Sequence, residues 1–206
     1  MTIEAVIFDI GNVLIGWQPE RFYDQELGRD RRQKLFAEVD LHSMNLAVDA
    51  GSDFKQTIYE TADAHPDWST EIRMWHDRWL DLAGPTIERS VRLMRALRAK
   101  GVPVHALTNF GVDSFALAAR HYDFLNEFDR PFVSGRMRMV KPDPKIYAAV
   151  ETALELPGDA LFFADDRADN IVAATARGWQ AHLFETPAGL ADRLVAEGLL
   201  SQAEAA

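Results

Sequence analysis

Residues 4–14, EAVIFDIGNVL, decide the fold of this chain. Its apolar residues 5–8 are typical of a short strand buried on both faces, as at the centre of a parallel sheet. Asp9 follows at once, and Gly11 and Asn12 then permit a tight turn. Ligands of open α/β sheets bind beyond the carboxyl ends of the strands, where a buried carboxylate needs a cation or hydrogen bonds to hold it. Asp9 is therefore a candidate site residue, although this stretch alone equally fits an aspartate that only caps a turn.

The composition limits the kind of protein this is. The 206 residues suit one core domain with an insertion, or two small domains. A net charge of −10 argues against nucleic acid or an anionic membrane as a partner. The chain has no cysteine, which excludes disulfides and thiolate chemistry and fits a cytoplasmic location. Its first residues lack the features of a signal peptide, and no stretch reaches the ~18 apolar residues of a membrane span.

The chain after the first strand is predicted to be helical as far as residue 84. No second strand is expected within residues 15–84. Four helices are predicted, at residues 19–28, 31–48 (with a break near 41–43), 52–64 and 69–82. Ser52 and Ser69 are the expected N-caps of the last two. This block is interpreted as a four-helix insertion after the first strand.

Strands and helices alternate regularly from residue 85 onward. The strands are predicted at residues 103–107, 131–133, 160–164 and 179–184, and the helices at 86–100, 112–121, 144–155, 167–177 and 188–200. Asp143 followed by Pro144 is a well-formed helix start. The pattern predicts an α/β fold, a Rossmann-like parallel sheet of about five strands with helices on both faces.

Polar residues follow three of the predicted strands at the point where each ends. They are Asp9, Thr108, Asn109, Asp165 and Asp166. Lys141, in VKPDPKIY, precedes a helix. Together these side chains supply a carboxylate nucleophile, groups that bind an oxyanion, a cation and further carboxylates, as phosphoryl transfer through an aspartyl-phosphate requires. Neighbouring carboxylates repel each other unless a cation lies between them, and hard oxygen ligands suit Mg²⁺.

Four motifs in this order resemble those of the haloacid dehalogenase superfamily of hydrolases. They are AVIFDIGNVL, HALTNF, VKPDPKIY and LFFADDRADN, and the resemblance covers essentially the whole chain. The helical insertion resembles the small cap of the subfamily that includes sugar-phosphate phosphatases and 2-haloacid dehalogenases. The resemblance implies a hydrolase core of residues 1–15 and 85–206 and a helical cap of residues 16–84.

The resemblance also implies a role for each motif residue. Asp9 would be the nucleophile, and Thr108 and Asn109 would bind the transferring group. Lys141 would neutralise Asp9 and the phosphoryl oxygens. The substrate would be a small anionic molecule.

A divalent cation, Mg²⁺ or another, is the cofactor that the resemblance implies. Asp9, Asp166 and the backbone carbonyl of Gly11 would bind it. Asp165 and Asn170 would support the metal or its waters.

Gly11 departs from the pattern of the family's phosphatases. They carry a second aspartate two residues after the nucleophile, which protonates the leaving group and later activates water. Loss of such a group typically costs ~10²–10⁴ in rate. Dehalogenases need no such acid because halide leaves as an anion, so the departure favours dehalogenation.

Other features favour a phosphatase. FDIGNVL and FADDRADN resemble the glucose-1-phosphate phosphatase-like branch, where glycine also occurs at this position, and the chain lacks the aromatic residue and Gly-Thr of the dehalogenases' first motif. We therefore expect a Mg²⁺-dependent phosphatase of small, sugar phosphate-like monoesters that acts through Asp9. The alternatives are a metal-free 2-haloacid dehalogenase with an ester on Asp9, and a catalytically weak ligand- or partner-binding protein.

Two features of the insertion remain open to two interpretations. His42, Asn45 and Asp49 share one helix face. That face would either contact substrate, with His42 as a replacement acid, or be solvated. Trp17 would either line the crevice between cap and core or pack the hinge.

Overall fold

The computed structural model describes residues 2–206, and its centre is a parallel sheet. The strands of this sheet are β1 (Ala5–Phe8), β4 (Val104–Thr108), β5 (Arg130–Val133), β6 (Leu161–Asp165) and β7 (Gln180–Leu183). Their order is β5-β4-β1-β6-β7, and all neighbours are parallel. Phe8 pairs with Ala106 on one side and Ala164 on the other, so β1 is the central strand. The predicted α/β fold is confirmed.

Helices cover both faces of the sheet. The side chains of β1 alternate between the two faces, and each face forms its own apolar cluster with the helices that cover it. The helices after residue 87 are α7 (Glu88–Ala99), α8 (Val112–His121), α9 (Ser134–Met137), α10 (Pro144–Leu154), α11 (Ala168–Thr175) and α12 (Pro187–Ala196). Phe8 packs with residues of α7, α8 and α12, whereas Ile7 packs with residues of α10 and α11. Asp143 caps α10 as predicted, by accepting a hydrogen bond from the Lys145 N–H at 2.9 Å.

The insertion contains more helices than the four predicted. They are α1 (Pro19–Leu27), α2 (Arg29–Glu38), α3 (Leu41–Asp49), α4 (Phe54–Ala64), α5 (Ser69–Asp77) and α6 (Trp79–Leu82). The second predicted helix is split because the Asp40 carboxylate accepts a hydrogen bond from the Ser43 N–H and so starts α3. The last predicted helix breaks at Arg78, which lies outside helical backbone geometry.

Both predicted caps in the insertion were wrong. Asp53, one residue after Ser52, caps α4 by accepting a hydrogen bond from the Gln56 N–H at 2.7 Å. Ser69 is the first residue of α5 and makes no capping bond.

A two-stranded antiparallel ribbon joins the insertion to the sheet, so the expectation of no strand in residues 15–84 was also wrong. It consists of β2 (Ile15–Trp17) and β3 (Ala83–Thr86). The chain therefore enters and leaves the insertion through adjacent strands. The division into a core of residues 1–15 and 85–206 and a cap of residues 16–84 stays a prediction, and Met1 lies outside the described residues. Among the helices described, none combines the length and apolar character needed to cross a bilayer.

Candidate active site

Asp9 lies where the central strand ends. Phe8 is the last residue of β1, and the Asp9 carboxylate accepts a hydrogen bond from the Ile10 N–H at 2.7 Å. The Nζ of Lys141 is 2.9 Å from the Asp9 Oδ1, and the Asp9 side chain is only 9% exposed. The carboxylate is thus fixed in a buried position with one free edge toward a cavity.

Lys141 joins two of the strand ends. Besides Asp9, its Nζ contacts the Asp165 Oδ2 at 2.7 Å and donates a hydrogen bond to the Leu107 carbonyl at 2.9 Å. Burial by itself would lower the pKa of Lys141, but the charges of Asp9 and Asp165 outweigh it and hold that pKa above its usual value. The lysine is therefore a permanent cation between two carboxylates.

The pKa of Asp9 is raised as well, but for a carboxyl group this disfavours the charged form. Burial raises its pKa from 3.8 to about 7, and the charges of Asp165 and Asp166 add to this, whereas Lys141 lowers it. Burial and the Asp165 charge also raise the pKa of Asp166, against the hydrogen bond that it receives from Asn12. Three carboxylates with a single lysine form a site with excess negative charge, which a divalent cation would relieve.

The donor set fits such a cation. Asp9, Asp165 and Asp166 each offer a carboxylate oxygen, and these oxygens lie within 4.8 Å of one another. The Asn170 Nδ2 donates to both oxygens of Asp165, at 2.9 and 3.0 Å, and the Asn170 Oδ1 is buried with no hydrogen-bond partner. An orphaned amide oxygen beside a carboxylate cluster is suited to Mg²⁺ or to one of its waters.

Asp165 is the least accessible of the three carboxylates. It is fully buried, and its oxygens accept bonds from Lys141, Asn170 and the Arg167 N–H. Its contacts make it a positioning residue for Lys141.

Asn12 holds Asp166, a function that the sequence did not reveal. The Asn12 Nδ2 donates to the Asp166 Oδ2 at 2.9 Å, and its Oδ1 accepts from the Trp17 N–H at 2.9 Å. Its φ of 54° is in the left-handed region, which asparagine tolerates better than most residues. The available sequence signal was the asparagine of the first motif, which was expected only to permit a turn.

Both the nitrogen and the oxygen of the Asn109 side-chain amide form hydrogen bonds with the backbone of Lys141. The Nδ2 donates to the Lys141 carbonyl at 2.9 Å, and the Oδ1 accepts from the Lys141 N–H at 2.8 Å. Asn109 therefore fixes the loop that carries the lysine. Binding of the transferring group by Thr108 and Asn109 stays a prediction, and Thr108 is a buried residue of the cavity wall.

A cavity of about 430 Å³ brings most of the predicted residues together. The predicted residues in its wall are Asp9, Gly11, Trp17, His42, Asn45, Thr108, Asn109, Lys141, Asp166 and Asn170. Asp165 is not in the wall and lies beneath it, against Lys141. The wall also contains apolar and aromatic side chains: Ile10, Ile15, Leu46, Trp79, Phe110 and Val140.

The helix face of His42, Asn45 and Asp49 forms part of this wall. His42 is exposed, whereas Asn45 and Asp49 are half-buried. The Asn45 Nδ2 donates to the Asp49 Oδ2 at 2.8 Å, and the Trp75 Nε1 donates to the Asn45 Oδ1 at 3.1 Å. The interpretation of a simply solvated face is therefore wrong for Asn45 and Asp49.

Trp17 combines both of its suggested positions. Its ring packs against those of Trp75 and Trp79, with centroids 5.7 and 5.9 Å apart. It also lines the cavity.

Comparison with known proteins identifies similar sequences and folds. A model of the haloacid dehalogenase-like hydrolase family matches residues 3–178. The sesquiterpene phosphatase astK of Aspergillus oryzae is 27% identical over 192 residues, which are 86% of this chain and 87% of that protein.

Two solved structures illustrate the likeness in fold. One is the HAD family enzyme bt-2542 of Bacteroides thetaiotaomicron in complex with magnesium and inorganic phosphate, with a TM-score of 0.69, 20% identity, and coverage of 89% of this chain and 95% of that one. The other is the L-2-haloacid dehalogenase of Xanthobacter autotrophicus, with a TM-score of 0.64, 17% identity, and coverage of 97% and 85%.

Proposed function

This chain belongs to the haloacid dehalogenase-like hydrolase family, and from that premise we propose that it is a phosphatase of small phosphate monoesters that uses Asp9 as nucleophile. The observation that carries the proposal is the pair of Asp9 and Lys141, buried together beside the Asp166 carboxylate at the carboxyl ends of adjacent strands. Lys141 orients Asp9 and offers positive charge to phosphoryl oxygens. An Asp9 oxygen attacks phosphorus, and the aspartyl-phosphate that results is then hydrolysed.

The fold and the charge balance both support a divalent cation in the site. Asp9, Asp166 and the Gly11 carbonyl would hold it, with Asp165 and Asn170 in support. When bound, it would neutralise charge on the phosphoryl oxygens. Asn12 keeps the Asp166 carboxylate at a fixed position for this purpose.

The substrate's organic group has two candidate classes. The sequence favours a sugar phosphate, as in the glucose-1-phosphate phosphatase-like branch. The apolar part of the wall, which includes Trp17, Trp79 and Phe110, supports an apolar alkyl or terpenyl group instead. The relative named as a sesquiterpene phosphatase supports the second class.

The dehalogenase alternative has less support. A 2-haloacid is a small substrate for a cavity of about 430 Å³. Metal-free chemistry also gives no role to the Asp166 carboxylate that Asn12 holds. The non-catalytic alternative is disfavoured by the intact contacts of Asp9, Lys141 and Asp165.

Metal removal is the first test of the proposal. The purified protein is assayed on a sugar phosphate, an alkyl phosphate, farnesyl phosphate, p-nitrophenyl phosphate and a 2-haloacid, each with Mg²⁺ and with chelator. We expect phosphate release with Mg²⁺ and at least about a hundredfold less in chelator, because a bound cation contributes several kcal/mol of charge stabilisation. Chloride release from the 2-haloacid in chelator, with no phosphate release from any ester, would establish the dehalogenase instead.

Asn12→Gly tests the support of Asp166. Glycine adopts the positive φ of this position without strain, so the change removes only the side-chain contacts. We expect the Mg²⁺ concentration for half-maximal activity to rise by about 10–100-fold, the usual effect of removing an outer partner of a metal ligand. Asn126→Ala is the control, since Asn126 is exposed and bonds only to the Ala119 carbonyl. An unchanged Mg²⁺ requirement in Asn12→Gly would contradict the metal role of Asp166.

A further inference from the structure

Asp49 lies across the cavity from the proposed nucleophile and has no role in the steps described so far. It is the last residue of α3, and it lines the cavity that Asp9 also lines. The steps described so far include no proton donor for the leaving oxygen, because Gly11 stands at the position where the family's phosphatases carry an acid. Among the described residues, a Cβ added at Gly11 would meet only the Trp17 Cβ, at 4.0 Å. There is thus space for an acid at position 11, and the chain does not use it.

The carboxylate of Asp49 is oriented by a chain of hydrogen bonds. The buried Trp75 donates to the Asn45 Oδ1 at 3.1 Å, and the Asn45 Nδ2 donates to the Asp49 Oδ2 at 2.8 Å. The first bond fixes which end of the Asn45 amide points at Asp49. A catalytic base that is oriented by a neighbouring group is a recurring arrangement in covalent catalysis.

The backbone of Asp49 is held by the other side of the cavity. The Ser134 Oγ donates to the Asp49 carbonyl at 2.6 Å and accepts from the Phe110 N–H at 2.8 Å. Gly111 approaches α3 closely: a Cβ there would lie 2.5 Å from the Val48 Cγ1. The Gly111 N–H is near enough to the Asp49 carboxylate to lower the pKa of that group. Asp49 is therefore fixed relative to β4 and the loop after it, where the phosphoryl group would bind.

The surroundings of Asp49 suit a group that exchanges protons. Burial raises its pKa from 3.8 to about 7, and the charge of Asp9 adds to this, whereas the Gly111 N–H and Lys141 lower it. The charged and titratable side chains in the same wall are Asp9, His42, Lys141, Asp166 and Arg167. A group whose pKa is close to the working pH is the most effective general acid and base.

We infer that Asp49 protonates the leaving oxygen in the first step and activates water in the second. The inference rests on the proposed phosphatase function. In the first step an Asp9 oxygen bonds to phosphorus, the ester P–O bond breaks, and the Asp49 carboxylic acid gives its proton to the leaving oxygen, which departs as an alcohol. In the second step the Asp49 carboxylate takes a proton from water, whose oxygen bonds to phosphorus while the bond to Asp9 breaks. Inorganic phosphate leaves, and both carboxyl groups return to their starting states.

The test compares leaving groups that do and do not need a proton. Single-turnover rates are measured for wild type and Asp49→Asn with an alkyl phosphate and with p-nitrophenyl phosphate, each with saturating Mg²⁺. We expect the first step to slow by about 10²–10⁴-fold with the alkyl phosphate, and by at most a few-fold with p-nitrophenyl phosphate, whose phenolate leaves unprotonated. The variant should also show a burst of p-nitrophenol followed by slow turnover, because the second step loses its base.

Asp63→Asn is the matched control. It makes the same chemical change in the insertion, at a side chain that is 69% exposed. We expect wild-type rates with both substrates. Circular dichroism and thermal melting of both variants report on folding.

A second measurement covers the case in which Asp49→Asn does not fold. Asn45→Ala keeps the acid but removes its orienting bond, and it should show a smaller loss with the same preference for p-nitrophenyl phosphate. In wild type the rate with the alkyl phosphate should fall as pH rises above about 7, because the acid must be protonated to donate, and this fall should be absent with p-nitrophenyl phosphate.

The outcomes separate this inference from the proposed function. Equal slowing of both substrates, or no slowing of either, in an active and folded Asp49→Asn would overturn the role of Asp49 and leave the phosphatase standing. Absence of phosphate release by wild type from every ester would overturn the proposed function itself.

Discussion

Asp9→Asn should fold and lose essentially all turnover. An amide oxygen is a poor nucleophile, and loss of a covalent nucleophile costs on the order of 10⁶-fold in comparable hydrolases. The replacement is nearly isosteric, and it can still accept the hydrogen bonds from the Ile10 N–H and Lys141. Steady-state phosphate release at saturating Mg²⁺ measures the effect. Residual activity within tenfold of wild type would remove Asp9 from the role of nucleophile.

The same variant should be more stable than wild type in chelator. The pKa of Asp9 is raised to about 7, so the folded state binds its proton more tightly than the unfolded state does. The stability that this provides is present below the unfolded pKa and is lost as pH rises through about 7. Asparagine does not titrate, so Asp9→Asn should exceed wild type in unfolding free energy by on the order of 2–4 kcal/mol at a pH of about 8 and by little near a pH of about 4. Urea unfolding at both values gives the comparison, and a variant less stable at the higher pH would contradict the charge account of the site.

Lys141→Met should lose both activity and stability. The change leaves Asp9 and Asp165 buried without their cation, and breaking a buried ion pair from one side typically costs about 3–5 kcal/mol. Turnover should fall by about 10²–10³-fold or more, because the variant loses the preorganised charge that Lys141 is proposed to offer to the phosphoryl oxygens. Urea unfolding and single-turnover rates measure the two losses.

Two further variants separate charge from packing. Adding Asp165→Asn to Lys141→Met removes one of the unpaired charges, so the double variant should regain part of the lost stability without regaining activity. Lys100→Met is the control, since Lys100 forms an ion pair with Glu204 at the surface, where such pairs contribute little to stability. Equal destabilisation by Lys141→Met and Lys100→Met would mean that the buried contacts of Lys141 contribute nothing unusual.

The parts of the fold that the sequence predicted well have strong local signals. The apolar run 5–8 and the Asp143-Pro144 start of α10 belong to this class. The ribbon of β2 and β3 was missed because Ile15–Trp17 is too short to show alternation and its partner lies on the far side of the insertion. The break at Arg78 was missed because no glycine or proline marks it in the sequence.

In the candidate site, too, features with a local sequence signal were predicted and features that depend on distant residues were not. The strand ends predicted the positions of Asp9 and Asp166, because parallel strands bring their carboxyl ends to one edge of a sheet. The contacts of Asn12 and Asn109 were not predictable, since each depends on a partner from a distant loop. Helix periodicity placed Asp49 on one face with His42 and Asn45, but it could not decide whether that face contacts substrate or solvent.

The most direct measurement of the central claim is to identify the phosphorylated residue. Wild type is mixed with p-nitrophenyl phosphate and Mg²⁺, quenched in acid during turnover, digested, and analysed by mass spectrometry. We expect one phosphate on the peptide that carries Asp9, in larger amount in Asp49→Asn, and none in chelator or in Asp9→Asn. A phosphate on any other residue, at an amount that follows turnover, would contradict it.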